Sequence, residues 1–144
     1  MILRLTGPIP GKARPRVTSR GTHMPRVYRQ WQAAALAELA TQRPVPVSGV
    51  AVVRVDLVYP APKNRPARSH PARAWWVPYS EQCTPFHWPG KPDIDNAAGS
   101  VLDVLTRAGV IEDDRLVVAL AVTRRASHHA EDVGAVVTVC GGEE

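Results

Sequence analysis

Apolar and polar residues alternate from the start of the chain, and Ile2-Leu3-Arg4-Leu5-Thr6 predicts a short strand. The following stretch, GPIPGKARPRVTSRGTHMPRV, is rich in Gly, Pro and Arg, residues that interrupt both periodicities, and reads as a long loop. From Tyr28 to about Gln42 the spacing changes to three and four: Tyr28, Trp31, Gln32, Ala35 and Leu39 share a face, with alanines between them, which predicts a helix that Arg43-Pro44 ends. Val47 to Tyr59 returns to strand character through Val50, Val52, Val55 and Leu57. Residues 60–92 hold eight prolines and three of the four tryptophans and read as one long loop within a single domain spanning 1–144. A second helix is expected from about Asp93 to Arg107, with Ala98, Val101, Leu102 and Leu105 as its apolar stripe and Gly109 as its stop. Arg115–Ser127 and Ala135–Cys140 read as two more strands, joined as a hairpin through HHAEDVG. The order β-α-β-α-β-β predicts an α+β fold: one small domain with a mixed sheet and two helices on one face.

Composition removes several classes. No apolar run approaches the roughly 20 residues a membrane span needs, and MILRLTGPIPGK lacks the pattern of a signal peptide. Cys83 and Cys140 are far apart with no CxxC, so neither a disulfide framework nor a zinc finger organises the fold, and a reducing, cytoplasmic setting is expected. Charge adds more. Eighteen basic residues against thirteen acidic ones give a net charge of +5. Nine of the basic residues lie within 1–54, while 91–114 holds six acidic residues and two basic ones. A basic body with one acidic cluster suits a polyanionic ligand with a cation held between it and the protein.

The acidic cluster carries the candidate chemistry. Lys91-Pro92-Asp93-Ile94-Asp95-Asn96 opens the second helix, and Asp113-Asp114 follows eighteen residues after Asp95. Two carboxylates at a helix start serve as caps for exposed N–H groups. A second pair returned beside the helix start by the turn at Gly109 would instead repel the first unless a hard cation lay between them, and Mg²⁺, which prefers oxygen ligands and bridges to phosphate, meets that need.

KPDIDN, then VLDVLTRAG, then VIEDDRLV resembles the RusA family of Holliday junction resolvases, small phage- and prophage-associated endonucleases. The PGKARPRV segment is similar to the family's Arg-rich stretch after its first strand. The resemblance covers about 1–30 and 91–126 and leaves the Trp/Pro-rich loop unmatched. It implies a RusA-like fold and a homodimer that resolves four-way junctions in DNA recombination and repair by paired symmetric nicks, with Mg²⁺, or Mn²⁺ in its place, as cofactor and no small-molecule substrate. By position it implies Asp93, Asp95 and Asp114 as metal-binding catalytic residues, with Asn96, Asp113 and Lys91 around them. Metal-assisted hydrolysis needs no nucleophilic side chain. One position departs from the pattern: a lysine common one turn after the second motif aspartate is Gly99 here. Either another cation substitutes, with Lys91, Arg115 or a loop arginine as candidates, or the chain is a cleavage-deficient homologue that binds junctions. A structural cation site with no nucleic-acid role is a third reading, which the basic N-terminal segment opposes.

Lys12, Arg14, Arg16, Arg20, Arg26 and Arg29 have few acidic partners nearby in sequence and are the candidate contacts to DNA phosphates. Arg124 and Arg125 are weaker candidates. Trp75, Trp76 and Trp88, set among Arg65, Arg68 and Arg73, suit stacking on bases, a dimer interface or core packing. Tyr28 and Trp31 are expected in the core. His128-His129 is expected in an exposed turn, and Asp103 on a solvated helix face or in a salt bridge across a dimer.

Overall fold

The computed structural model describes residues 1–19, 21–64 and 89–141. Strand β1 (Ile2–Thr6) leads through an extended segment to a small hairpin of β2 (Arg16–Thr18) and β3 (Gly21–His23). Helix α1 (Arg26–Gln42), strand β4 (Ala51–Pro60), helix α2 (Ile94–Arg107), strand β5 (Val117–Ser127) and strand β6 (Gly134–Gly141) follow, with single 3-10 turns at Asp114–Leu116 and Ala130–Asp132. The expected order of strands and helices is therefore present, and the sheet is mixed: β1 and β6 are antiparallel, β6 and β4 antiparallel, β4 and β5 parallel, in the spatial order β1-β6-β4-β5.

The core lies between one face of this sheet and the two helices. In β4 the alternation places Ala51, Val53, Val55, Leu57 and Tyr59 inward, and the register sets Val53, Val55 and Leu57 beside Val139, Val137 and Ala135 of β6. Leu3 and Leu5 of β1 extend the same face. Ala35 and Leu39 of α1 and Ala97, Val101, Val104 and Leu105 of α2 close over it, with Ile9, Val110 and Ile111 sealing the ends. α1 also covers the free edge of β1. Glu38 accepts a hydrogen bond from the Thr6 amide at 2.9 Å, and the Gln42 side chain accepts from the Arg4 amide at 2.8 Å and donates to its carbonyl at 2.7 Å, so the outer edge of β1 is paired at Arg4 and Thr6.

Four expectations change. The stretch read as a loop after β1 contains the β2–β3 hairpin, whose three-residue strands are too short for alternation to announce. The strand expected from Val47 begins at Ala51, because Gly49 turns the chain with φ 73° and Val47 makes only an isolated bridge to Ile111. The last two strands do not form a hairpin, since β4 lies between them. A parallel β4–β5 pair requires a crossover, which α2 supplies, and this sends β5 to the outer edge and β6 to the other side of β4. Finally, His128 and His129 are half-buried, and the His129 amide donates to the Ser127 hydroxyl at 3.0 Å. The tryptophans Trp75, Trp76 and Trp88, the arginines among them, and Cys83 lie outside the described residues.

Candidate active site

Helix α2 starts where the sequence places it, but the carboxylates at its start do not cap it. Asp93 is the N-cap residue by backbone geometry, its carbonyl accepting the first helical bond from the Ala97 amide at 3.0 Å, yet its side chain makes no cap hydrogen bond. Asp95, in the first turn, is exposed like Asp93, and neither carboxylate has a hydrogen-bond partner among the described residues. Their negative charge suits the positive end of the helix dipole, but the structure spends neither group on holding the helix together. Pro92 precedes the N-cap, outside the helix, rather than opening it.

The basic N-terminal segment is pinned against this helix start. Gly11 makes the approach possible: a Cβ there would lie 2.9 Å from Pro92 Cβ and 3.5 Å from Asn96 Cβ. The Lys12 amide then donates to the Asn96 carbonyl at 2.9 Å. The Lys12 side chain runs along α2 over Gly99, where a Cβ would stand 3.3 Å from its Cδ, and its ammonium reaches Asp103 at 3.0 Å. Tyr28 from α1 donates to the other oxygen of Asp103 at 3.2 Å. Asp103 is thus paired within its own chain. The hydrogen bond to Asp103 is the main reason the Lys12 ammonium holds its proton above the ordinary lysine value, and the charges of Asp103 and Asp114 add to it. An exposed ion pair is worth only about 0.2–1 kcal/mol, so the segment is held chiefly by the backbone bond and the close packing at Gly11.

The second acidic pair divides its labour. Asp113 accepts from the Arg115 amide at 2.8 Å and from its guanidinium at 3.0 and 2.8 Å, capping the turn Asp114–Leu116. Those bonds hold the Asp113 carboxyl well below the usual carboxylate range. They also engage Arg115. Asp114 is exposed, on a turn that packs against α2, and its charge reaches Lys12. Among the described residues no three His, Cys, Asp or Glu side chains stand close enough together to hold an ion between them. The donor chemistry nevertheless fits a hard cation, since Asp93, Asp95 and Asp114 offer exposed carboxylate oxygens around one helix.

Lys91 and Asn96 are exposed beside the helix start, and Arg14, Arg26 and Arg29 are exposed along the segment and the first turn of α1. Arg16 belongs to β2, and Arg20 lies outside the described residues. Sequence reasoning undervalued Arg124. It points inward, donating its guanidinium to the carbonyls of Gly90 and Pro92 and, at 2.7 Å, to that of Lys91. The ring of Tyr59 lies beneath it, 4.4 Å from the guanidinium carbon to the ring centroid. The signal was its register: Arg124 pairs with Leu57 and shares the helix-facing side of β5 with Val122 and Ala126, where a charge requires partners. Arg125 faces the open side of the sheet and is exposed.

Against models of known families, residues 6–139 match one described as Endodeoxyribonuclease RusA. Among curated proteins none matches the chain.

Proposed function

The chain belongs to the RusA family of Holliday junction endodeoxyribonucleases, and on that premise we propose that Asp93, Asp95 and Asp114 form its metal-dependent cutting site for four-way junctions. Nucleases of this family depend on Mg²⁺ and act on branched DNA. The observation that carries the assignment is the pair of exposed carboxylates at the start of α2, free of hydrogen bonds among the described residues, with a basic segment packed beside them. Carboxylates left in water on a basic protein repel a phosphate unless a cation intervenes. A divalent ion bound there lowers the pKa of its water and neutralises charge on the reacting phosphate.

The protein's own groups have distinct parts in this reading. Asp93, Asp95 and Asp114 supply oxygen donors. Asp113 fixes the turn that carries Asp114 and takes up the guanidinium of Arg115. Asn96 presents its carbonyl to Lys12, and Lys91 offers positive charge beside the helix start. Lys12, Arg14, Arg16, Arg20, Arg26 and Arg29 contact backbone phosphates, which gives affinity without sequence readout.

Lys12 also answers the departure at Gly99. Its stem occupies the space over the glycine and its ammonium stands at Asp103, one turn further along α2, so a lysine from the N-terminal segment brings positive charge to the helix face that lacks one. That favours an active nuclease over a binder that has lost cleavage. Two copies of the chain suit a junction that presents two equivalent strands, and light scattering of the protein alone is expected to give twice the chain mass. The reading is tested by titrating the protein with a four-way junction in chelator and then adding Mg²⁺. Junction binding above that of linear duplex, followed by nicking, is expected; equal binding to both with no nicking would refute it.

A further inference from the structure

We propose that Arg124 is a positioning residue for the metal site: its guanidinium clamps the backbone of residues 90–92 so that Asp93 and Asp95 present their carboxylates together. The inference rests on the metal-site reading above and assigns a part to a residue far from the acidic motif in sequence.

The geometry is specific. The three residues preceding Asp93 turn their carbonyls toward one side chain, and Arg124 donates to all of them. Only a guanidinium offers several donors in one plane with enough spread to take consecutive carbonyls; an ammonium is a point donor. Tyr59 supports the clamp from below with its ring face. The Tyr59 hydroxyl in turn donates to the Ile9 carbonyl at 2.8 Å, just before the segment that carries Lys12. A single arginine on β5 therefore links the sheet, the segment leading into the acidic motif and, through Tyr59, the basic N-terminal segment. The three bonds from Arg124 to carbonyls cross 32 to 34 positions of sequence. Burial disfavours the charged guanidinium, and among the described residues its Nε is buried without a partner. An arginine that served only packing would be replaced by an apolar side chain at less cost. The charge of Asp93 also reaches Arg124 and offsets part of the cost of burying the guanidinium.

The test is Mn²⁺ binding by calorimetry on the full chain, wild type beside Arg124→Gln and Arg124→Lys, with junction binding in chelator and thermal unfolding measured on each. Groups that orient metal ligands from behind typically change metal affinity by about 10–100-fold when removed. Arg124→Gln is expected to weaken Mn²⁺ binding at least about tenfold, to raise the Mg²⁺ concentration giving half-maximal nicking, and to leave metal-free junction affinity near wild type. Arg124→Lys, which keeps the charge over Tyr59 but not the planar fork, is expected to recover only part of the loss. Wild-type Mn²⁺ affinity in folded Arg124→Gln overturns the proposal. Should Arg124→Gln fail to fold, Arg124→Lys decides it by the same titration: weakened binding supports the clamp and unchanged binding overturns it. A wild-type protein that takes up no Mn²⁺ would defeat the metal-site reading first, and the clamp with it.

Discussion

Lys12 shows how one side chain replaces another across a fold. A lysine at position 99 would rise from the helix; here the glycine leaves a groove that a lysine 87 positions earlier fills with its stem. Lys12→Ala is expected to lower the nicking rate roughly 100-fold, the order seen when one group stabilising transition-state charge is removed, while junction affinity falls far less. Lys12→Ala combined with Gly99→Lys is expected to recover much of that rate, whereas Gly99→Lys alone crowds the existing lysine and lowers it. A double variant no faster than Lys12→Ala would show that the two positions are not equivalent. Asp113 makes a separate prediction. Its folded pKa lies below the ordinary 3.8, so the Arg115 contacts contribute fully above that value and fade as pH falls through the depressed one. Arg115→Gln is expected to return the Asp113 titration, followed by carboxyl NMR, toward 3.8. Asp113 and Asp114 are neighbours of one type, and only the structure shows which is spent on the turn.

At the scale of elements, periodicity located both helices and the four strands of the main sheet, because each long element buries one face and its sequence must show it. α2 was placed to within a residue at its start, since Asp93 ends the extended segment and the apolar stripe begins at once. The β2–β3 hairpin escaped because strands of three residues are too short for alternation to show. The pairing of β5 escaped for a different reason: alternation says which side of a strand is inward but not which neighbour it takes, and only the crossover through α2 decides that. Arg124 was misjudged with it, because its partners on residues 90–92 follow from where β5 lies and not from the alternation along the strand. The turn into β6 depends on Gly134, whose φ of 152° and close approach to the Leu5 carbonyl exclude a side chain. Gly134→Ala is expected to destabilise the protein by about 2 kcal/mol or more, read from denaturant unfolding. A wild-type midpoint would mean that β1 and β6 yield easily at that end.

For the molecule as a whole, charge and fold act together. The sheet and helices bring a basic segment and an acidic helix start, some eighty residues apart in sequence, into contact at Gly11. Junction affinity is expected to fall steeply with salt. Arg14→Ala and Arg29→Ala should each reduce the slope of log affinity against log salt by about one if each holds a phosphate. An unchanged slope in both would place the DNA elsewhere on the protein. The most direct test of the account remains cleavage itself: a synthetic four-way junction incubated with the protein and Mg²⁺, beside Asp95→Asn. The account predicts paired symmetric nicks from the wild type and a loss of roughly 100-fold or more in the variant, with the junction still bound. Nicking that persists in Asp95→Asn, or tight junction binding with no nicks in either protein, would contradict it.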